Sequence, residues 1–132
     1  MKYLIDTHTL LWTIFDPGKL SKSVKQEMGD PENEVAVSII SFWEISLKYG
    51  LGKLELINIE PDALPGIAEE TGIEILSITP GEVASFYKLP KLAHRDPFDR
   101  LIIWQAIQRK MKLISRDQEF KEYQRYGLNL YW

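Results

Sequence analysis

Asp6, Glu44, Asp99 and Asp117 each stand at or just inside the start of a segment with a helical pattern. Three of those segments follow, or directly adjoin, a short apolar run of strand type. Four carboxylates meeting at one place would raise one another's pKa and oppose folding of a metal-free site. Hard divalent cations relieve that repulsion and prefer oxygen ligands. The chain has no cysteine, and His8 and His94 lack a zinc-like spacing, so Mg²⁺, with Mn²⁺ as a substitute, suits the set better than Zn²⁺. Carboxylate-held Mg²⁺ can promote in-line attack of water on a phosphodiester.

Each acid also has a plainer explanation. Aspartate is a preferred N-cap, which covers Asp6 and Asp117 singly. The stretch SFWE places Ser41 and Glu44 at the spacing of a capping box. In HRDPFDRLIIWQA, residues 94–106, Asp96 suits an N-cap and Pro97 the first helical position. Asp99 is then left over at the mouth of an apolar helix. Three residues along a helix turn through about 300°, so Asp96 and Asp99 share roughly one face. A second buried carboxylate is costly unless a positive group meets it. Arg95, Arg100 or a divalent cation can do so.

The acids need elements that bring them to one edge. Strand patterns fall at KYLI, EVAVS, IEILSI, KLIS and LNLYW. Helical patterns fall at THTLLWTIF, SKSVKQEM, SFWEISLKYG, PGEVASFYKL, PFDRLIIWQAIQRK and DQEFKEYQ, and at EPDALPGIAEETG with an interruption at Pro65. Turn signals lie at DPGK, GDPEN, YGLGK and TPG. Strand–helix alternation with brief, wholly apolar strands predicts an α/β fold, a three-layer α/β/α sandwich around a mainly parallel, about five-stranded sheet. In such a sheet, ligands bind beyond the carboxyl ends of the strands, where Asp6 and Asp117 fall.

A chain of 132 residues is enough for one domain, and no repeat or linker divides it. Its 45% hydrophobic and 27% charged residues are ordinary for a globular protein. The absence of cysteine excludes disulfides and suits a reducing cytoplasm. Asp6 interrupts any apolar leader, and the longest apolar run is four residues, so no membrane association is expected. The net charge of −3 hides an asymmetry. Residues 1–90 carry 7 Lys and Arg against 14 Asp and Glu, whereas residues 91–132 carry 9 against 5. The basic final third leaves room for a polyanion despite the overall sign.

The blocks DTHTLLW (6–12), SFWEISLKYGLGKL (41–54), HRDPFDRLIIWQA (94–106) and LISRDQEF (113–120) resemble, in order, the four signature blocks of PIN-domain ribonucleases, and most nearly the VapC-type toxins of prokaryotic toxin–antitoxin pairs. The resemblance spans residues 6 to 120. It implies one PIN-like nuclease domain over 1–132, a Mg²⁺-dependent endoribonuclease, a homodimer and silencing by a small antitoxin. The family's acidic quartet falls on Asp6, Glu44, Asp99 and Asp117. Asp6 and Asp99 would be direct metal ligands, with Asp117 and Glu44 holding metal-bound water or a second ion. Asp96 matches a position acidic in the subfamily, and Ser115 one where a hydroxyl often lies near the metal. Thr7 is a further neighbour. Water as nucleophile would leave 5′-phosphate and 3′-hydroxyl ends.

Arg95, Arg100, Arg116 and Lys48 flank the acids and are candidate RNA-phosphate contacts. The plainer reading is that they neutralise neighbouring carboxylates. His8 is expected to pack near its helix start. Trp12, Phe15, Trp43, Phe98 and Trp104 read as core or interface, and Trp12, Phe15, Tyr49 and Leu51 could line a groove for an antitoxin peptide. A receiver-like signalling domain also sets acids at strand ends. It needs an acceptor Asp after the third strand, and IEILSITP has none. A nuclease of structured DNA would carry more acids and a longer chain. A catalytically idle binding module would not be expected to keep all four acids.

Overall fold

Neighbouring residues of the central strands face opposite ways, and both ways are apolar. Leu4, Ala36 and Leu113 enter one core cluster, while Tyr3, Ile5, Val35, Val37 and Ile114 enter another. A strand with two apolar faces must be covered twice, which forces three layers. A computed structural model of the protein, describing residues 1–132, has this architecture.

The strands are β1 (Lys2–Ile5), β2 (Glu34–Ser38), β3 (Glu74–Leu76), β4 (Lys112–Ile114) and β5 (Asn129–Tyr131). They lie in the order β3-β2-β1-β4-β5, and every pair is parallel. Ile5 sits opposite Val37 on one side and Ile114 on the other. β1 is thus the middle strand and the point from which the chain winds in both directions. Its carboxyl end is the crevice where such sheets place their sites.

The helices are α1 (Thr7–Phe15), α2 (Lys22–Gly29), α3 (Ile39–Gly50), α4 (Leu64–Glu70), α5 (Pro80–Ala84) and α6 (Pro97–Arg109). One face is covered by α1, α2 and α4 through Leu10, Val24, Leu64 and Ala68. The other is covered by α6 through Ile102, Ile103 and Ala106, joined by Phe120 and Tyr123 of a 3₁₀ stretch (Gln118–Tyr126). Helix α3 serves both, with Ile40 in one cluster and Ile45 in the other. No helix is long and apolar enough to cross a membrane.

The run Leu101–Trp104 of helix α6 is apolar on every side because the helix is packed on both sides there. Its two buried side-chain N–H donors find partners there, while the Gln105 Oε1 oxygen has none. The Trp104 indole N–H donates to the Glu82 carbonyl at 3.1 Å, and the Gln105 amide donates to the Ser77 carbonyl at 3.0 Å. Gly127 (φ 103°) turns the chain into β5 in a left-handed conformation that a side chain would strain.

Three local expectations are corrected. Helix α3 begins at Ile39, not Ser41, and its cap is Ser38, whose hydroxyl accepts from the Ile40 N–H at 3.1 Å. Ser41 is buried inside the helix, so Ser41 and Glu44 form no capping box; the serine ending β2 takes the cap first. The capping box lies instead at Thr79 and Glu82. Pro65 sits in the first turn of α4, where its missing N–H costs nothing, rather than interrupting a helix.

Candidate active site

Asp6 is the first residue after the central strand and is only 4% exposed. It caps α1 by accepting from the Thr9 N–H at 2.9 Å. Burial pushes its carboxyl above the ordinary range, against hydrogen bonds from Ser115 and Thr9 that pull it down. The Ser115 oxygen also accepts the backbone N–H of Asp117 at 3.1 Å. One buried hydroxyl therefore links the ends of β1 and β4.

Glu44 projects from the second turn of α3 and is 2% exposed. Thr7 Oγ1 lies 2.6 Å from its Oε1 and 2.9 Å from the Ser41 hydroxyl, tying α1 to α3. Lys48, one turn along, pairs with the other Glu44 oxygen and lies 3.7 Å from Asp96 Oδ2. Burial alone would depress the Lys48 ammonium. The Glu44 hydrogen bond and charge, with Asp96 and Asp99 behind them, outweigh it and raise its pKa.

At the mouth of α6, Asp96 Oδ1 accepts from the N–H groups of Phe98 (2.9 Å) and Asp99 (3.2 Å), an N-cap as expected. Asp99 then faces Asp96 and Glu44; each of the three offers an oxygen within 4.8 Å of the others'. Burial first, then the charges of Asp96, Glu44 and Asp6, push the Asp99 carboxyl up to about 7. His94 pulls the other way, its Nε2 being 2.9 Å from Asp99 Oδ2.

The sequence pattern does not point to that partner. Neither Arg95 nor Arg100 meets Asp99. Arg100 is the next residue, about 100° round the helix, and its guanidinium donates to the Leu89 and Pro90 carbonyls at 3.1 Å while lying over Phe86. His94 also reaches Glu119, Nδ1 to Oε2 at 2.6 Å, and the ligand atoms of His94, Asp117 and Glu119 form a second close group. Glu119 stands two residues after Asp117, a spacing that in the sequence reads only as a polar first turn. Burial lowers and the two hydrogen bonds raise the His94 pKa, with a net rise.

Asp6 and Asp117 line a hollow of about 340 Å³ with His8, Trp12 and Arg116. His8 is exposed there rather than packed away. Arg116 and Arg95 are exposed, whereas Lys48 and Arg100 are held by the partners just described. Trp104 is buried, but Trp43 is 58% exposed and meets Phe98 edge-on at 5.0 Å. Trp12 and Phe15 border an apolar groove with Leu54, Leu56 and Ile57; Tyr49 and Leu51 do not.

Buried carboxylates with raised proton affinity, braced by hydroxyls and lacking any sulfur donor, fit a hard divalent cation. A group of this kind at the carboxyl edge of a parallel three-layer sheet defines a candidate metal-assisted hydrolase site.

Residues 3–126 match the PIN domain family, and the chain belongs to it. The chain is 28% identical over 120 residues to "Ribonuclease VapC22" of Mycobacterium tuberculosis, covering 91% of this chain and 90% of the relative. Its fold is similar to that of VapBC2 from Rickettsia felis bound to a promoter DNA fragment (TM-score 0.71, 19% identity, 99% and 98% of the two chains). It is also similar to VapBC-1 from nontypeable Haemophilus influenzae (TM-score 0.67, 19% identity, 99% and 97%).

Proposed function

We propose that this protein is a Mg²⁺-dependent endoribonuclease and the toxin of a toxin–antitoxin pair. The observation that carries the reading is the convergence of Glu44, Asp96 and Asp99, where burial first and the neighbouring charges second push Asp99 up to about 7. Asp6, Asp99 and Asp117 would hold the ion, with Glu44 on its water or on a second ion; Mn²⁺ would serve in its place. When bound, the ion supplies Lewis acidity toward water and counter-charge for phosphoryl oxygens.

The chain's own residues prepare the rest. Thr7 fixes the Glu44 carboxylate, and Ser115 holds Asp6 and the Asp117 backbone in register. Lys48 offsets Glu44 and Asp96 and so limits the charge of the pocket. Arg116 and Arg95 are exposed beside it and suit phosphate contacts. Water attacks phosphorus, the bond to the 3′ oxygen breaks, and that oxygen leaves with a proton, giving 5′-phosphate and 3′-hydroxyl ends.

The name of the Mycobacterium tuberculosis relative supports ribonuclease action, and the VapBC titles of the similar structures support an antitoxin partner. The groove beside Trp12 and Phe15 is an apolar seat for a segment of such a partner. A homodimer is supported by Ile39, Trp43 and Leu47, exposed at i, i+4 spacing on one face of α3. A cytoplasmic site of action follows from an RNA substrate. The test is cleavage of a labelled RNA with Mg²⁺ and with EDTA, repeated with Asp99→Asn. Loss of cleavage in EDTA and in the variant is expected; cleavage at full rate in EDTA overturns the metal mechanism.

A further inference from the structure

The hollow beside Asp6 and Asp117 has two unlike walls. One is acidic and would repel a free phosphate. The other is aromatic and cationic: Trp12, with His8 one turn before it on α1, and Arg116 from the loop after β4. The His8 and Trp12 ring centroids are 5.9 Å apart, and Trp132 meets Trp12 edge-on at 5.9 Å. The Arg116 guanidinium carbon and the Lys19 ammonium are each also 5.9 Å from the Trp12 centroid, so both cations lie beside the face a base would use. Trp12 is half-buried and braced by Trp132, so its ring is set in place before any ligand arrives.

We propose that this hollow is a subsite for one unpaired nucleobase next to the scissile phosphate, with Trp12 as its stacking surface, His8 as its edge and Arg116 on the adjoining backbone phosphate. The inference rests on the nuclease reading above and goes beyond it by assigning Trp12, His8 and Arg116 to one base and its adjoining phosphate. A base is flat, π-rich and uncharged, so it suits an aromatic wall and tolerates acidic neighbours; a phosphate does not. The volume, near the low end of the ~300–1,000 Å³ of small-molecule sites, suits a single nucleotide rather than a helix. Bases inside an A-form duplex offer no face to such a wall, whereas unpaired bases stack on Trp, His and Arg planes. A peptide side chain from a protein partner would favour the adjoining groove, which shares His8 and Trp12 but adds Phe15, Leu54, Leu56 and Ile57, over a hollow flanked by two aspartates.

Binding can be read without cleavage. In an Asp99→Asn background with EDTA, a fluorescein-labelled unstructured oligoribonucleotide and a duplex of the same sequence are titrated by anisotropy. Trp12→Leu is expected to weaken the single strand on the order of tenfold, with Trp12→Phe restoring most of it and the duplex unchanged. Arg116→Gln, at an exposed position, is expected to weaken the single strand and to lower its salt slope by about one. It keeps the proposal testable if Trp12→Leu fails to fold. Unchanged single-strand affinity in folded Trp12→Leu, an equal loss for the duplex, or an Arg116→Gln salt slope equal to the parent's overturns the subsite. So does the absence of any RNA binding. If the protein with Asp99 intact still cleaves RNA with Mg²⁺ in those cases, the subsite alone has failed and the nuclease reading stands.

Discussion

His94 Nε2 lies 2.9 Å from Asp99 Oδ2, while the same ring's Nδ1 lies 2.6 Å from Glu119 Oε2. The imidazole thus bridges the mouth of α6 and the segment after β4, and it stabilises the Asp99 carboxylate, which burial and neighbouring charge disfavour. The metal-free protein is held together at this point by a partnership that depends on pH.

The sign follows from linkage. Asp99 has an ordinary value of 3.8 and about 7 when folded, so its contribution to stability is full below 3.8 and is lost as pH rises toward 7. His94 acts in the same direction: its contribution is full below 6.5 and is lost as pH rises through its raised folded value. In EDTA, the melting temperature is expected to carry a falling component between about pH 4 and 7 from Asp99, continued by His94 above pH 6.5. Asp99→Asn should flatten it and melt a few degrees higher at pH 8, about 1 kcal/mol or more. Parallel pH profiles for the two proteins would mean that Asp99 is not the strained group.

Metal should relieve the same repulsion. Mg²⁺ at 100 times its dissociation constant is expected to stabilise the protein by about 2.7 kcal/mol, read as a rise in melting temperature. The rise should disappear in Asp6→Asn and Asp99→Asn, which should also fail to cleave RNA while remaining folded. A full thermal response to Mg²⁺ in either variant would remove that residue from the ligand set.

Asp96 and Asp99 should separate under substitution. One Asp96 oxygen caps α6, and the other faces Lys48. Asp96→Ala should cost about 0.5–2 kcal/mol, and Asp96→Ser should recover most of that, because a hydroxyl can cap. Cleavage by Asp96→Ser should stay within about tenfold of the parent, roughly 1.4 kcal/mol in outer electrostatics. Asp99→Ser should fold normally and turn over almost nothing, since a neutral hydroxyl cannot replace an anionic ligand. Equal inactivity of the two serine variants, both folded, would make Asp96 a ligand as well as a cap.

Thr7→Val keeps the shape of the side chain and removes the hydroxyl that lies 2.6 Å from Glu44. The loss of a hydrogen bond to a buried charge is expected to cost about 1.5–3 kcal/mol. Thr7→Ser should restore both stability and cleavage. Undiminished cleavage in folded Thr7→Val would show that Glu44 needs no brace.

The sequence by itself determined the layers and the edge. Apolar strand centres such as YLI in β1 and VAV in β2 demand cover on both faces, and an Asp directly after β1 and near the end of β4 must lie at the carboxyl edge of a parallel sheet. It also determined the cap at Asp96, because cap chemistry is local. Tertiary structure decided the partners. Thr7 and Glu44 are 37 residues apart, and His94 and Glu119 are 25 apart; no local pattern encodes such pairs. The same holds for Arg100, which the loop before α6 captures through its carbonyls, and for Trp43, whose helix pattern suited either a core or an interface and which the packing of α3 leaves exposed. Periodicity fixes which residues share a face, but which face meets another depends on where the crossovers set each helix, and that is settled only when the whole chain is packed.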